Sequence, residues 1–317
     1  MRNLLGMLVL VALLLSLCGV AFAESEKSLI GILVPAATDG WGGGVAYFAK
    51  KAADDMELNY ILLTSSNAEE MSGRIEQLIS LGAVAIVMSP QFVGMEVAVE
   101  TALKNGIVIY SFDMPIDVSE QYAENFYQLT GDNYSMGEES AMYIAEKLLG
   151  EGKVVILDVP SSGNVAVERK AGFLTTIAEV APGIEVIATV DTMFTRQNGL
   201  DDMAYLLATY DQIDAVFSMD DETSIGALQA ILTANRTDVK VITGGGGCQE
   251  YFNMMLDKKY ADIWVASATY SPSMILNCVE NTVLILEGEE IDQLIVFPTT
   301  IVDKKNAVDF LDENTPY

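Results

Sequence analysis

The sequence predicts an α/β protein made of two Rossmann-like lobes, each a parallel sheet flanked by helices. Short runs rich in Val and Ile recur along the chain, as expected of parallel strands covered on both faces. Amphipathic stretches lie between them: Met71, Ile75, Leu78 and Ile79 fall at i, i+4, i+7 and i+8, one face of a helix. The 317 residues, less an N-terminal leader, are too many for one small core and suit two domains of ordinary size.

The elements follow in order. Arg2, an apolar run from Leu4 to Val20 and the small-x-small end Ala21-Phe22-Ala23 form the pattern of a secretory signal peptide over residues 1–23, with the mature chain beginning near Glu24. The apolar run is slightly short for a membrane span, which takes about twenty such residues. Cys18 offers lipid anchoring as an alternative, but Leu17 stands where such sites take a small residue. A periplasmic or otherwise extracytoplasmic location is expected.

Strands are predicted over 28–35, 59–65, 83–88 and 107–112. After a strand-like stretch within 125–132 they resume over 154–159, 185–190, 215–219, 239–243 and 264–268. The stretch 125–132 breaks the rhythm, because Phe126, Tyr127 and Leu129 run into Thr130-Gly131-Asp132-Asn133 and a new helix starts at about Tyr134. It marks a first crossing between lobes. A second crossing is expected near Tyr270-Ser271-Pro272 and a third over 297–302, which together make a three-segment hinge. The N-terminal lobe would then hold 24–130 and 271–300, and the C-terminal lobe 131–270 and 301–317.

Composition narrows the function. Lys and Arg total 17 against 45 Asp and Glu, a net charge of −28, so the surface repels nucleic acid and anionic lipid headgroups. The chain has no histidine, which removes the usual general base and the usual zinc ligand. No metal and no cofactor are expected, and any catalysis would rest on carboxylates. Cys248 and Cys278 remain after leader cleavage, and their spacing alone assigns no disulfide.

In open α/β sheets, ligands sit outside the carboxyl ends of the strands. The first strand delivers Asp39 and Trp41 on a glycine-rich turn, and an indole ring suits the C–H face of a sugar. The fourth ends in Asp113-Met114-Pro115, where a carboxylate accepts hydrogen bonds from two hydroxyls. Beyond the sixth, Glu168-Arg169-Lys170 supplies a planar guanidinium fork. Phe194 follows the seventh. Asp220-Asp221-Glu222 follow the eighth, and at least one of them is expected only to cap its helix. Gly244 to Gly247 lead into no Gly-Lys-Ser/Thr, and Gly42-Gly43-Gly44 lack the spaced third glycine of a dinucleotide fingerprint.

Together these positions resemble the ribose-type family of periplasmic sugar-binding proteins, along essentially the whole mature chain. The resemblance is carried by Ser111-Phe112-Asp113, by Thr130-Gly131-Asp132-Asn133, by Glu168-Arg169-Lys170-Ala171-Gly172-Phe173, and by Asp220-Asp221-Glu222 with Gly226-Ala227-Leu228 behind it. It implies the type I periplasmic binding protein fold, with a sugar pocket lined by Asp113, Arg169, Phe194 and Asp220. Asp39, Trp41, Met114, Asn133, Thr269 and Tyr270 complete the expected ligand contacts. The chain departs from the family at several of these places. Met114 stands where many relatives carry a second arginine, Asp220 where they carry asparagine, Gly246 where an aspartate is common, and Thr269 or Tyr270 where a glutamine is common.

The expected function is therefore that of a non-enzymatic binding protein, acting as a monomer. It would capture a monosaccharide, polyol or similar hydroxyl-rich solute between its lobes and hand it to an ABC permease. One alternative is a receptor that passes its closed form to a sensor or chemotaxis system. A remoter one is an exported hydrolase using Asp113 and Asp220 as paired carboxylates.

Overall fold

The computed structural model describes residues 28–37 and 40–317. The leader, with Cys18, and the expected contact Asp39 lie outside the described residues. The chain runs β1 (Ile30–Pro35), α1 (Gly40–Asp55), β2 (Tyr60–Ser65), α2 (Ala68–Ser80), β3 (Ala85–Met88), α3 (Glu96–Lys104), β4 (Val108–Phe112), β5 (Phe126–Gly131) and α4 (Asn133–Lys147). It continues through β6 (Glu151–Asp158), α5 (Asn164–Val180), β7 (Gly183–Asp191), α6 (Arg196–Thr209), β8 (Ala215–Ser218), α7 (Asp221–Thr233), β9 (Val241–Gly246) and α8 (Gln249–Leu256). The last elements are β10 (Trp264–Thr269), α9 (Ile275–Glu287), β11 (Leu294–Phe297) and β12 (Ile301–Asp303).

Two six-stranded sheets result, ordered β11-β5-β4-β3-β1-β2 and β12-β10-β9-β8-β6-β7. Every pairing is parallel except that of β10 with β12. The chain passes from the first sheet to the second after β5, returns after β10, and crosses again between β11 and β12.

Burial explains why the strands read as apolar runs. β1, β3, β4 and β8 are buried at every position because helices cover both faces of their sheets. The predicted stripe of α2 places Met71, Ile75 and Leu78 in the core, and burying such a side chain stabilises by about 1.5–3 kcal/mol. Asn67 starts that helix by accepting the Glu70 amide at 2.9 Å, while the Glu70 carboxylate accepts the Ser66 amide at 2.8 Å. Cys248 and Cys278 are both free and buried.

Two differences from the predicted elements have physical causes. β9 extends through Gly244 to Gly246, although glycine is a poor strand former. Neighbouring side chains need the space: a Cβ on Gly244 would lie 2.5 Å from Asp221 Oδ1, and one on Gly245 would lie 1.5 Å from Met136 Cε. The edge strands β11 and β12 were not predicted as strands, since they are short and border the crossing.

Candidate ligand-binding cleft

One cleft of about 870 Å³ opens at the carboxyl ends of both sheets, lined by residues of both. It brings together Trp41, Asp113, Met114, Arg169, Phe194, Asp220 and Tyr270 of the residues predicted from sequence. Asn133 lies behind it, beneath Arg169. Thr269 does not line it: its Oγ1 accepts the Thr300 amide at 2.9 Å and holds the crossing segment instead.

Tyr270 joins the two sides. Its hydroxyl donates to Asp113 Oδ1 at 2.6 Å, and Thr130 Oγ1 lies 3.1 Å from the same hydroxyl. Its ring carries the Arg169 guanidinium 4.7 Å above the centroid. Its carbonyl accepts the Trp41 Nε1 proton at 2.7 Å. The ring fits because residue 131 is glycine, where a Cβ would lie 2.4 Å from Tyr270 Cε2. A hinge residue thus contacts the principal polar groups from both sheets.

Arg169 is only 5% exposed, yet no carboxylate forms an ion pair with it among the described residues. Its Nε donates to Asn133 Oδ1 at 2.9 Å and its Nη1 to the Met219 carbonyl at 2.7 Å. Two neutral acceptors and an aromatic face therefore fix the fork without a direct ion pair.

Asp113 sits just past β4 with φ +78°, a left-handed conformation that Asp tolerates better than most residues. Burial pushes its carboxyl above the usual range, against the opposing pull of the Tyr270 hydroxyl and Arg169. Asp220 caps α7, accepting the Glu222 amide at 3.0 Å and the Thr223 amide at 3.3 Å. Burial raises its pKa to about 6. Trp41 stacks on Phe112 with centroids 5.6 Å apart, and Phe194 is 40% exposed at the rim. No group of three or more His, Cys, Asp or Glu that could hold a metal ion occurs among the described residues.

A family model described as a periplasmic binding protein domain matches residues 30–290. The ribose import binding protein of Escherichia coli (strain K12) is 31% identical over 250 residues, covering 77% of this chain and 79% of that protein. The chain belongs to the ribose-type periplasmic sugar-binding protein family. A xylitol-binding protein of Mycolicibacterium smegmatis is 26% identical over 305 residues, covering 94% of this chain and 84% of that protein. The crystal structure of a galactofuranose binding protein superposes with a TM-score of 0.81 at 22% identity, covering 92% of this chain and all of that one, a likeness of fold.

Within this family frame the cleft also holds residues that the sequence did not single out as contacts. Gln91, in the loop after β3, and Ser161, in a 3-10 turn over Pro160–Ser162 after β6, carry no motif. Glu222 and Arg196 line the wall as an ion pair, and Glu250 binds the second arm of Arg196 at 2.7 Å. Tyr317 reaches the cleft from far along the chain, and nothing in its local sequence marks it.

Proposed function

We propose that this protein is an extracytoplasmic binding protein that captures a monosaccharide, polyol or similar hydroxyl-rich solute between its two lobes and delivers it to an ABC importer. The observation that carries the reading is the Asp113–Tyr270–Arg169 arrangement. An acceptor from the first sheet and a donor fork from the second meet across a hinge tyrosine, so a polyol hydroxyl between them would donate to one and accept from the other. Trp41 adds an aromatic wall of the kind that packs on sugar C–H faces. The family supports the same class, since its named relatives include import proteins for ribose and D-apiose and a protein that binds xylitol. The family likewise supports binding rather than turnover.

The test is a thermal-shift panel of neutral pentoses, hexoses and polyols, with acidic sugars and amino acids as controls. At least one neutral solute is expected to raise the melting temperature. Asp113→Asn keeps the size and left-handed tolerance of the residue but exchanges a charged acceptor for a neutral one, so affinity should fall about tenfold. A panel in which only acidic sugars bind, or an Asp113→Asn protein that binds as the wild type does, would reject the reading.

A further inference from the structure

The wall of the cleft at the end of β9 carries no side chain of its own. Gly246 has φ +130°, and a Cβ built there would lie 2.6 Å from Tyr317 Oη and 3.4 Å from Cε1 and Cζ. The phenol of Tyr317 fills the space that a side chain at 246 would enter. The other end of the same residue meets the first lobe, where a Cβ on Gly44 of α1 would come within 3.1 Å of Tyr317 Cβ. Tyr317 therefore spans from the helix that follows β1 to the end of β9, and it is 5% exposed.

Its position is fixed from behind. Gln249 Nε2 donates to the Phe310 carbonyl at 3.2 Å and Gln249 Oε1 accepts the Asp312 amide at 2.8 Å, while the Phe310 ring packs 6.0 Å from Phe252. Thr315 Oγ1 donates to the Tyr317 carbonyl at 3.0 Å. On the first-lobe side, the Tyr47 hydroxyl donates to the Asn314 carbonyl at 3.4 Å. Burial, reinforced by the Asp221, Asp220 and Glu222 carboxyls nearby, holds the phenol well above its ordinary pKa, so it stays neutral in the physiological range.

We propose that Tyr317 is a specificity-determining ligand contact of this cleft. Its hydroxyl replaces a side chain at position 246 as the polar group of that wall, and its ring limits how large a solute fits there. The inference rests on the reading that the cleft binds a hydroxyl-rich solute and narrows it. A neutral phenol both donates to and accepts from a sugar hydroxyl, where a carboxylate would only accept, so the wall favours a compact neutral polyol or sugar over a cationic one.

The test uses the full chain with D-ribose, xylitol, D-allose and myo-inositol as probes in titration calorimetry. Tyr317→Phe keeps the ring and deletes the hydroxyl. It should weaken the best-bound probe about three- to tenfold, the worth of one neutral hydrogen bond, while leaving the melting temperature of the ligand-free protein unchanged. Tyr317→Ala should reorder the four probes in favour of the larger two. Should Tyr317→Ala fail to fold, Tyr317→Phe decides alone. Wild-type affinity in Tyr317→Phe, with the wild type binding a probe, overturns this inference and leaves the proposed function standing. Absence of binding by the wild type to all four probes and to every neutral solute of the thermal-shift panel removes both.

Discussion

Two adjacent carboxyls at the start of α7 show how one residue's surroundings divide a motif between structure and site. Asp220 caps the helix and faces the cleft. Asp221 is fully buried, and its Oδ2 accepts from the Gly247 amide, the Cys248 amide and the Ser267 hydroxyl, each at 2.9 Å, while its Oδ1 has no partner. Burial pushes its pKa from 3.8 up to about 7. A carboxyl whose folded pKa lies above its unfolded value holds a proton in the fold that the unfolded chain releases. Stability therefore falls as pH climbs from about 4 through about 7, and the penalty is complete above that range. Asp221→Asn, with its amide oxygen in the place of Oδ2, keeps the three hydrogen bonds and removes the titration. Between pH 5 and pH 8 the melting temperature of the variant is expected to fall several degrees less than that of the wild type. Parallel curves in a pH series of thermal melts would show that Asp221 is not the titrating group.

At the scale of elements, the second lobe sets its binding residues through two helix pairs that cross at reciprocal glycines. On α4 and α5, a Cβ at Gly137 would lie 1.9 Å from the Arg169 carbonyl and one at Gly172 would lie 2.1 Å from the Tyr134 carbonyl. On α6 and α7, the corresponding distances are 2.1 Å from Gly199 to the Thr223 carbonyl and 2.0 Å from Gly226 to the Arg196 carbonyl. The backbone that carries Arg169 therefore rests directly on its neighbour, and a methyl group can enter only by parting the helices. Gly172→Ala should cost at least the roughly 1–3 kcal/mol of an overpacked core, read as a melting temperature lower by several degrees, and should weaken solute binding by moving Arg169. Gly73→Ala on the exposed face of α2 meets nothing within 4 Å and should instead stabilise by about 0.4–1 kcal/mol. Equal melting temperatures for the two variants would contradict the close crossing. These glycines also mark what the sequence made legible. Buried strands and helix stripes were readable because apolar periodicity is a local signal. Asp113 was expected at the cleft because it ends a strand and Arg169 because it lies on the helix after one, whereas Tyr270 was expected there only through the family resemblance. The use of Gly244 to Gly246 as room for Met136, Asp221 and Tyr317, the arrival of Tyr317 itself, and the diversion of Thr269 into the hinge depend on contacts between distant segments, which no local pattern records.

For the whole molecule, three crossing segments join the two sheets, and under the proposed function they are the hinge about which the lobes would close on a solute. A solute touching one lobe shifts nothing between open and closed forms; only contacts made to both at once do so. Moving such a balance from 1:99 to 99:1 takes about 5.5 kcal/mol of preference. Hydrogen bonds to charged groups contribute about 1.5–3 kcal/mol each, so two or three shared among Asp113, Arg169 and Asp220 supply a preference of that order, and each one weakened moves the balance back toward the open form. Small-angle scattering should therefore show the radius of gyration of the wild type falling when the solute with the largest thermal shift is added to saturation. Asp113→Asn, saturated with the same solute, should contract less, because the second-lobe contacts are satisfied while the first-lobe acceptor is weakened. A solute that stabilises the wild type against heat yet leaves its radius of gyration unchanged would mean that binding is confined to one lobe, and that the hinge crossings at Gly131, Tyr270 and Thr300 serve to brace the lobes rather than to let them close.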